Sequence, residues 1–164
     1  MTLGATTSWE RWDNIRPDGS LQTPNANSFN HYAFGAIGDW LYRVVAGINL
    51  APERPGYQRI RFQPRPGGSL TSAAARLDTQ YGPIESRWAR AGQTLEQFVM
   101  VPPNCEGVVY LPVVPATAVT ESGRPLSQAE GIVSVSEAEG QLVVRVGSGQ
   151  YAFRLSGFKI TDRQ

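Results

Sequence analysis

The spacing of hydrophobic and polar positions along this chain changes near Asn49. Upstream of it, apolar residues recur in alternating steps of three and four, which is the period of an α-helix. Ser28 is suited to cap the start of this helix, and Pro52 and Pro55 exclude its continuation. The pattern therefore predicts one long helix, with apolar positions at Ala33, Phe34, Ile37, Trp40, Leu41, Val44, Val45 and Ile48.

Glycines interrupt this predicted helix at Gly35 and Gly38, and Gly47 lies at its end. Each interior glycine costs about 1 kcal/mol relative to alanine. Glycine also lets a second backbone approach closely, so we expect an element packed against the helix. No second strong helix follows in the chain to be that element.

After Pro52 the chain consists of short segments with apolar residues at every second position, separated by turns rich in Gly and Pro. Many short strands with such turns favour an antiparallel β-sandwich. The sequence therefore predicts a mainly β fold, an antiparallel and jelly-roll-like sandwich over residues 51–164 that is preceded by a helical arm over residues 1–50. The predicted strands are Tyr57–Gln63, Ser69–Asp78, Gly82–Ala91, Thr94–Val101, Gly107–Leu111, Ile132–Ser136, Gln141–Val146 and Gln150–Leu155.

Composition argues against several chemistries. The 164 residues carry 15 Lys and Arg against 14 Asp and Glu, and this balance argues against a nucleic-acid partner. One cysteine, Cys105, excludes an internal disulfide and a Cys-based zinc site, and one histidine, His31, excludes a multi-His centre. No apolar run approaches the roughly 18 residues of a membrane span. We therefore expect no cofactor, no metal and no membrane partner; no signal peptide is visible, which leaves a cytoplasmic and an exported location open.

Residues suited to a site concentrate between positions 5 and 13. Trp9 and Trp12 flank Glu10; an indole stacks on the C–H face of a sugar, and a carboxylate accepts a proton from water. The alternative is a surface turn whose rings pack on the neighbouring helix, because aromatic residues usually fill cores. Asp13 either forms a carboxylate pair with Glu10 or pairs locally with an arginine, Arg11 or Arg16.

Three further residues have two interpretations each. His31 falls in the first turn of the predicted helix, where a neutral imidazole would hydrogen-bond a hydroxyl, or it is structural. Cys105 is predicted to be structural, since no second His or Cys is present to activate it. Trp88 alternates with Ile84 and Ser86 along one strand face, which favours core or interdomain packing over an exposed platform for sugars.

Two motifs resemble the end of bacterial α-L-rhamnosidases of glycoside hydrolase family 78. The first is ATTSWERWD at 5–13, and the second is SFNHYAFGAIGDW at 28–40. Further segments resemble that family's C-terminal β-sandwich, so the resemblance covers nearly the whole chain: Gly56-Tyr57, Pro66-Gly67-Gly68, Tyr81-Gly82 and Val101-Pro102-Pro103-Asn104. The resemblance implies that residues 1–50 are the end of a catalytic (α/α)6 barrel and residues 51–164 the C-terminal domain.

The resemblance also implies a reaction, the inverting hydrolysis of terminal α-L-rhamnosyl residues in a rhamnosylated glycoside or polysaccharide. Glu10 matches the general base, His31 matches a residue that contacts the rhamnose, and Trp9 and Trp12 would shape the sugar pocket. The family's general acid lies upstream in the barrel, and nothing in this chain matches it. We therefore expect the C-terminal portion of a longer enzyme, inactive by itself, whose missing barrel is supplied in cis or by a separate chain.

Two other functions stay open. One is a non-catalytic β-sandwich module that binds carbohydrate or braces another domain. The other is the smaller subunit of a split glycosidase, which docks onto its barrel through the helix rich in small residues. In the free chain the apolar face of the helix lacks its barrel partner, so we expect self-association through the exposed helix or a mobile arm.

Overall fold

The structure is a computed structural model that describes residues 4–23, 28–112, 114 and 118–158. The chain divides into two compact units, Met1–Trp40 and Leu41–Gln164. The first unit holds the two motifs of the sequence analysis, and the second holds all of the strands. Within the described ranges, no helix combines the length and the apolar character that crossing a bilayer requires.

The predicted long helix is replaced by three short helical pieces. They are a 3-10 turn at Tyr32–Phe34, the helix α1 at Ile37–Trp40 and a π-helical turn at Leu41–Val45. His31, and not Ser28, caps the first piece, and Gly35 ends it. The apolar spacing was helical, but the interior glycines weaken a continuous helix.

Eleven strands form two sheets in the described part of the chain. The five-stranded sheet has the order β1-β2-β6-β10-β9, and the six-stranded sheet has the order β3-β4-β5-β11-β7-β8. The strands are β1 Ile48–Leu50, β2 Arg59–Phe62, β3 Ser72–Thr79, β4 Gly82–Ala91, β5 Thr94–Val101, β6 Glu106–Leu111, β7 Val119–Glu121, β8 Arg124–Pro125, β9 Ile132–Ala138, β10 Gln141–Val146 and β11 Gly149–Ser156.

The two sheets share one hydrophobic core, which confirms the predicted β-sandwich. Alternate residues of the longer strands point into it, as the buried Leu95, Val99 and Val101 of β5 illustrate. All pairings between the named strands are antiparallel except that of β2 with β6, which is parallel. Trp88 is buried in this core, so its predicted packing role is confirmed and a sugar platform at this residue is excluded.

The segment that follows α1 is anchored to strand β4. The Trp88 indole N–H donates to the Val45 carbonyl at 2.7 Å, and the Ser86 hydroxyl donates to the Ala46 carbonyl at 2.6 Å. Gly47 has a left-handed φ of +79°, and a Cβ there would collide with the backbone of Pro64. The close approach expected at the glycines therefore occurs at Gly47, against the loop after β2, whereas a Cβ at Gly38 would meet open space.

Candidate active site

The two sequence motifs lie side by side in the first unit because their backbones are hydrogen-bonded. The Ser8 carbonyl accepts from the His31 N–H at 2.7 Å, and the Glu10 N–H donates to the Ser28 carbonyl at 2.8 Å. The Thr7 hydroxyl also joins the two motifs, donating to the Phe29 carbonyl. Segments 7–10 and 28–31 therefore form one short paired structure, although 17 residues separate them in the chain.

Glu10 is exposed, and one of its carboxylate oxygens is held in place. Oε2 accepts from the backbone N–H of Ser28 at 3.1 Å, so both the backbone and the side chain of Glu10 bind the same residue. Within the described residues, Oε2 is the carboxylate oxygen of Glu10 that accepts this hydrogen bond. A carboxylate is also a group that can accept a proton from a water molecule.

His31 caps the 3-10 turn with its side chain. Its Nδ1 accepts from the Ala33 N–H at 3.1 Å, and its ring stacks on Tyr32 with centroids 5.3 Å apart. In the neutral imidazole, an acceptor at Nδ1 places the proton on Nε2. With Ser28 as the cap, the sequence placed His31 three positions after the cap, inside the first helical turn; in the structure His31 is itself the cap.

The two tryptophans differ in exposure. Trp9 is 6% exposed and packs edge-on against Phe29, with centroids 4.9 Å apart. Trp12 is 49% exposed and stacks on Trp9 at 6.1 Å. Trp9 therefore belongs to the small core of this unit, as the packing alternative proposed, and Trp12 presents aromatic surface. Phe29 was missed by sequence reasoning, although its place two residues before His31 in the second motif was a signal.

Asp13 is bound to Arg11 and does not form a carboxylate pair with Glu10. The guanidinium donates from Nε to Oδ1 at 3.0 Å and from Nη2 to Oδ2 at 2.8 Å. These bonds lower the pKa of Asp13 and raise the pKa of Arg11. Of the two alternatives for Asp13, the structure supports the local pair with Arg11, and Glu10 remains the candidate base.

A hairpin follows the first motif and buries Asn14. Ile15 bridges to Leu21, and Asp18 closes the turn by accepting from the N–H and hydroxyl of Ser20, which lowers its pKa. The Asn14 side chain is fully buried, and its amide atoms have no partner among the described residues. Sequence reasoning missed Asn14, because an Asn beside an Asp is typical of an ordinary turn.

No metal or redox site is apparent in the described ranges, where no group of three or more His, Cys, Asp or Glu side chains is placed to hold an ion. Cys105 is buried, and this burial raises the pKa of its thiol. A buried thiol with a raised pKa is a poor nucleophile, in agreement with the predicted structural role of Cys105.

Comparisons with known proteins agree with the order of these elements. The model of the bacterial α-L-rhamnosidase six-hairpin glycosidase domain matches residues 1–45, and that of the bacterial α-L-rhamnosidase C-terminal domain matches residues 47–124. An α-L-rhamnosidase of Streptomyces avermitilis is 42% identical over 150 residues, which is 92% of this chain and 14% of the relative. An α-L-rhamnosidase of Formosa agariphila is 34% identical over 154 residues, covering 94% of this chain and 16% of the relative.

Solved structures give the same result. The crystal structure of the Streptomyces avermitilis α-L-rhamnosidase complexed with L-rhamnose matches with a TM-score of 0.72 and 40% identity, over 93% of this chain and 14% of that one. The structure of the α-L-rhamnosidase from Dictyoglumus thermophilum matches with a TM-score of 0.73 and 36% identity, over 93% of this chain and 16% of that one.

The order of a helical segment followed by a β-sandwich is thus shared with a class of glycoside hydrolases. The chain belongs to the bacterial α-L-rhamnosidase family and corresponds to the C-terminal portion of its members. It spans 14% and 16% of the length of the two relatives named above.

Proposed function

We propose that this chain is the C-terminal part of an enzyme that hydrolyses terminal α-L-rhamnosyl residues with inversion, and that Glu10 is its general base. The observation that carries the proposal is the pairing of segments 7–10 and 28–31, which anchors the Glu10 carboxylate on Ser28. The substrate class is supported by the related Streptomyces avermitilis enzyme, whose structure holds L-rhamnose.

In this mechanism, Glu10 acts on the attacking water. Oε2 stays bound to the Ser28 N–H, while Oε1 takes a proton from the water as its oxygen bonds to the anomeric carbon. The bond from that carbon to the leaving oxygen breaks on the opposite face, and a general acid protonates this oxygen. Inverting enzymes hold the two carboxyl groups about 6.5–9.5 Å apart to admit the water.

The other site residues would bind the sugar. His31 donates a hydrogen bond from Nε2 to a rhamnose hydroxyl, since its Nδ1 is already engaged by Ala33. The exposed ring of Trp12 lies against the C–H face of the sugar, and Trp9 supports that ring from behind. His31 and Trp12 thus orient the substrate, and Glu10 performs the chemistry.

The isolated chain is expected to be inactive. Its Asp13 is neutralised by Arg11, and the family resemblance places the general acid upstream of this chain. A positioned acid or base contributes typically 10²–10⁴-fold in rate, so a general base without its general acid gives little turnover. Among the described residues, Glu10 is also exposed, whereas an active site excludes water. The remainder of the barrel, in cis or as a separate chain, is the partner that completes it.

The β-sandwich would serve this enzyme as a brace. Trp88 and Ser86 bind the carbonyls of Val45 and Ala46, and Gly47 admits the backbone of Pro64. These contacts fix the segment that leads from the first unit into the sheets. We therefore assign residues 1–50 to the end of the catalytic barrel and residues 51–164 to the domain that supports it.

A hybrid enzyme tests the proposal. The 164-residue chain replaces the aligned C-terminal portion of the Streptomyces avermitilis α-L-rhamnosidase, and turnover of an aryl α-L-rhamnoside is measured. We expect activity in the hybrid and none in the isolated chain. The variant Glu10→Gln should lower kcat of the hybrid by about 10²–10⁴-fold.

The matched control is Glu130→Gln, which removes an exposed carboxylate of the sandwich that pairs with Arg124. This variant should leave kcat unchanged. A folded hybrid without turnover, a hybrid in which Glu10→Gln is as active as the parent, or hydrolysis by the isolated chain would contradict the proposal.

A further inference from the structure

An open groove of about 590 Å³ lies on the outer face of the six-stranded sheet, within the second unit. Strand register aligns its side chains in two neighbouring rows that run across β3, β4, β5 and β11. The first row is Ala74, Arg87, Phe98 and Ala152, and the second row is Ser72, Ala89, Glu96 and Arg154. We call this surface the β3–β11 groove.

The first row has large side chains at its centre and small ones at its ends. The guanidinium carbon of Arg87 lies 4.1 Å from the centroid of the Phe98 ring. Ala74 and Ala152 flank this pair, and Ala89 lies beside it in the second row, so the floor on either side is low and apolar. The turn at Ser122 adds a hydroxyl at the β11 side of the groove.

Charge is balanced in this groove except at Arg87. Arg154 pairs with Glu96 at 2.8 Å, and Arg76, further along the same face, binds both Asp78 and Glu85. Arg87 forms no ion pair with a carboxylate in the described part of the chain, and its side chain is exposed. A guanidinium stacked on a ring keeps its N–H donors in a fixed fork that matches a carboxylate.

We propose that the β3–β11 groove binds a carboxylate-bearing saccharide, with the acid group held by Arg87. This inference rests on the proposed function, because an enzyme that removes terminal rhamnose meets that sugar attached to a larger glycan. The alanine floor contacts the C–H face of a sugar ring, and the Ser72 hydroxyl hydrogen-bonds to a sugar hydroxyl. The Ser122 hydroxyl, which donates to Glu121 at 2.6 Å, accepts from another.

The dimensions favour a saccharide over a protein segment. The groove volume lies within the range of about 300–1,000 Å³ that is typical of small-ligand sites. A stable protein interface buries about 800 Å² on each partner, which is far more than a groove of this volume offers. The site would retain the glycan near the enzyme while terminal residues are removed elsewhere.

A titration of the ¹⁵N-labelled 164-residue chain tests the site. The probes are tri-galacturonic acid and its methyl ester, which keeps the shape of the trisaccharide and removes its charge. We expect the acid to shift the amide signals of Ala74, Arg87, Ala89 and Ala152 in a saturable way, and the ester to bind at least tenfold more weakly. Binding of the acid should weaken as salt is raised from about 20 to 200 mM.

Three variants isolate the role of Arg87. Arg87→Gln should weaken binding of the acid about tenfold or more, and Arg87→Lys should retain part of it, since an ammonium keeps the charge without the fork. Arg124→Gln, a control on β8 outside the groove, should bind as the parent does. The dispersion of the amide spectrum shows that each variant is folded.

Several results would overturn the site. These are equal binding of acid and ester, shifts confined to residues outside the groove, or unchanged binding by Arg87→Gln. The titration needs no turnover, so its outcome is independent of the hydrolysis assay. Absence of binding beside an active hybrid overturns this site alone, and binding beside an inactive hybrid overturns the proposed hydrolysis alone.

Discussion

At the scale of single residues, Gln97 is a buried amide in the core of the sandwich. It alternates along β5 with Leu95 and Val99, it is 1% exposed, and both its amide nitrogen and oxygen lack a partner among the described residues. Leaving a buried polar group unsatisfied costs about 1–3 kcal/mol. The alternation of β5 places position 97 in the core, whereas glutamine as a residue type indicates a position on the surface.

Gln97→Met is therefore expected to stabilise the chain. Methionine has a similar length and no amide to desolvate, so the free energy of unfolding should rise by about 1–2 kcal/mol. Urea denaturation followed by Trp fluorescence measures this change. Gln150→Met, at an outward position of β11, is the control and should change stability little; a loss of stability in Gln97→Met would show that the Gln97 amide is satisfied in solution.

At the scale of elements, the sequence predicted strands better than helices. The bounds of β4, β5 and β10 are those that the alternating pattern predicted, because one buried face imposes a strict period of two. The short strands β1, β7 and β8 were not predicted, since two or three residues carry no period. The prediction of one long helix was wrong. The spacing of apolar residues shows which face of a helix is apolar, but it does not show whether glycines let the helix continue.

Local patterns could not predict which strands or motifs lie next to each other. The parallel pairing of β2 with β6 joins strands from distant parts of the chain, and no alternation distinguishes it from an antiparallel one. In the site, the motifs identified Glu10 and His31, while their pairing through Ser28 and Ser8 depends on backbone hydrogen bonds. Phe29 and Asn14 contribute through packing, which residue type alone does not reveal.

One carboxylate joins three strands of the five-stranded sheet. Glu106 on β6 accepts from Arg59 on β2 at 2.8 and 2.9 Å and from Nε of Arg145 on β10 at 3.0 Å. The hydrogen bonds from Arg145, and then from Arg59, lower the pKa of Glu106, although partial burial opposes them. The folded state therefore binds the Glu106 proton less tightly than the unfolded state does.

The free energy of unfolding of the sandwich should therefore depend on pH in the acidic range through the Glu106 carboxylate. The contribution of Glu106 is fully present above its unfolded pKa, about 4.3, and is lost as the pH falls through the lowered folded value. Glu106→Gln should unfold at lower urea than the parent at pH 7, and the difference should shrink as the pH falls below about 4. Glu130→Gln is the control. A difference in unfolding between Glu106→Gln and the parent that stays the same at every pH would contradict the prediction.

At the scale of the whole molecule, apolar surface remains uncovered around the helical pieces. Ile37 is 56% exposed and Leu41 is 46% exposed, and Trp40 and Tyr42 between them are exposed as well. The chain spans about a seventh of the Streptomyces avermitilis relative, so most of that relative's polypeptide has no counterpart in this chain. Contiguous exposed apolar patches tend to associate when their natural cover is absent.

The isolated chain is therefore expected to self-associate through this segment. Sedimentation equilibrium from about 5 to 200 μM should show a concentration-dependent mass, and the double variant Ile37→Gln/Leu41→Gln should shift it toward the monomer because both changes replace apolar surface with amides. Strand β9 offers a competing explanation, since it lies at the edge of its sheet and its Val133 is 58% exposed. Val133→Thr should leave association through the helical segment unchanged; suppression by Val133→Thr and not by the double variant would assign self-association to the sheet edge instead.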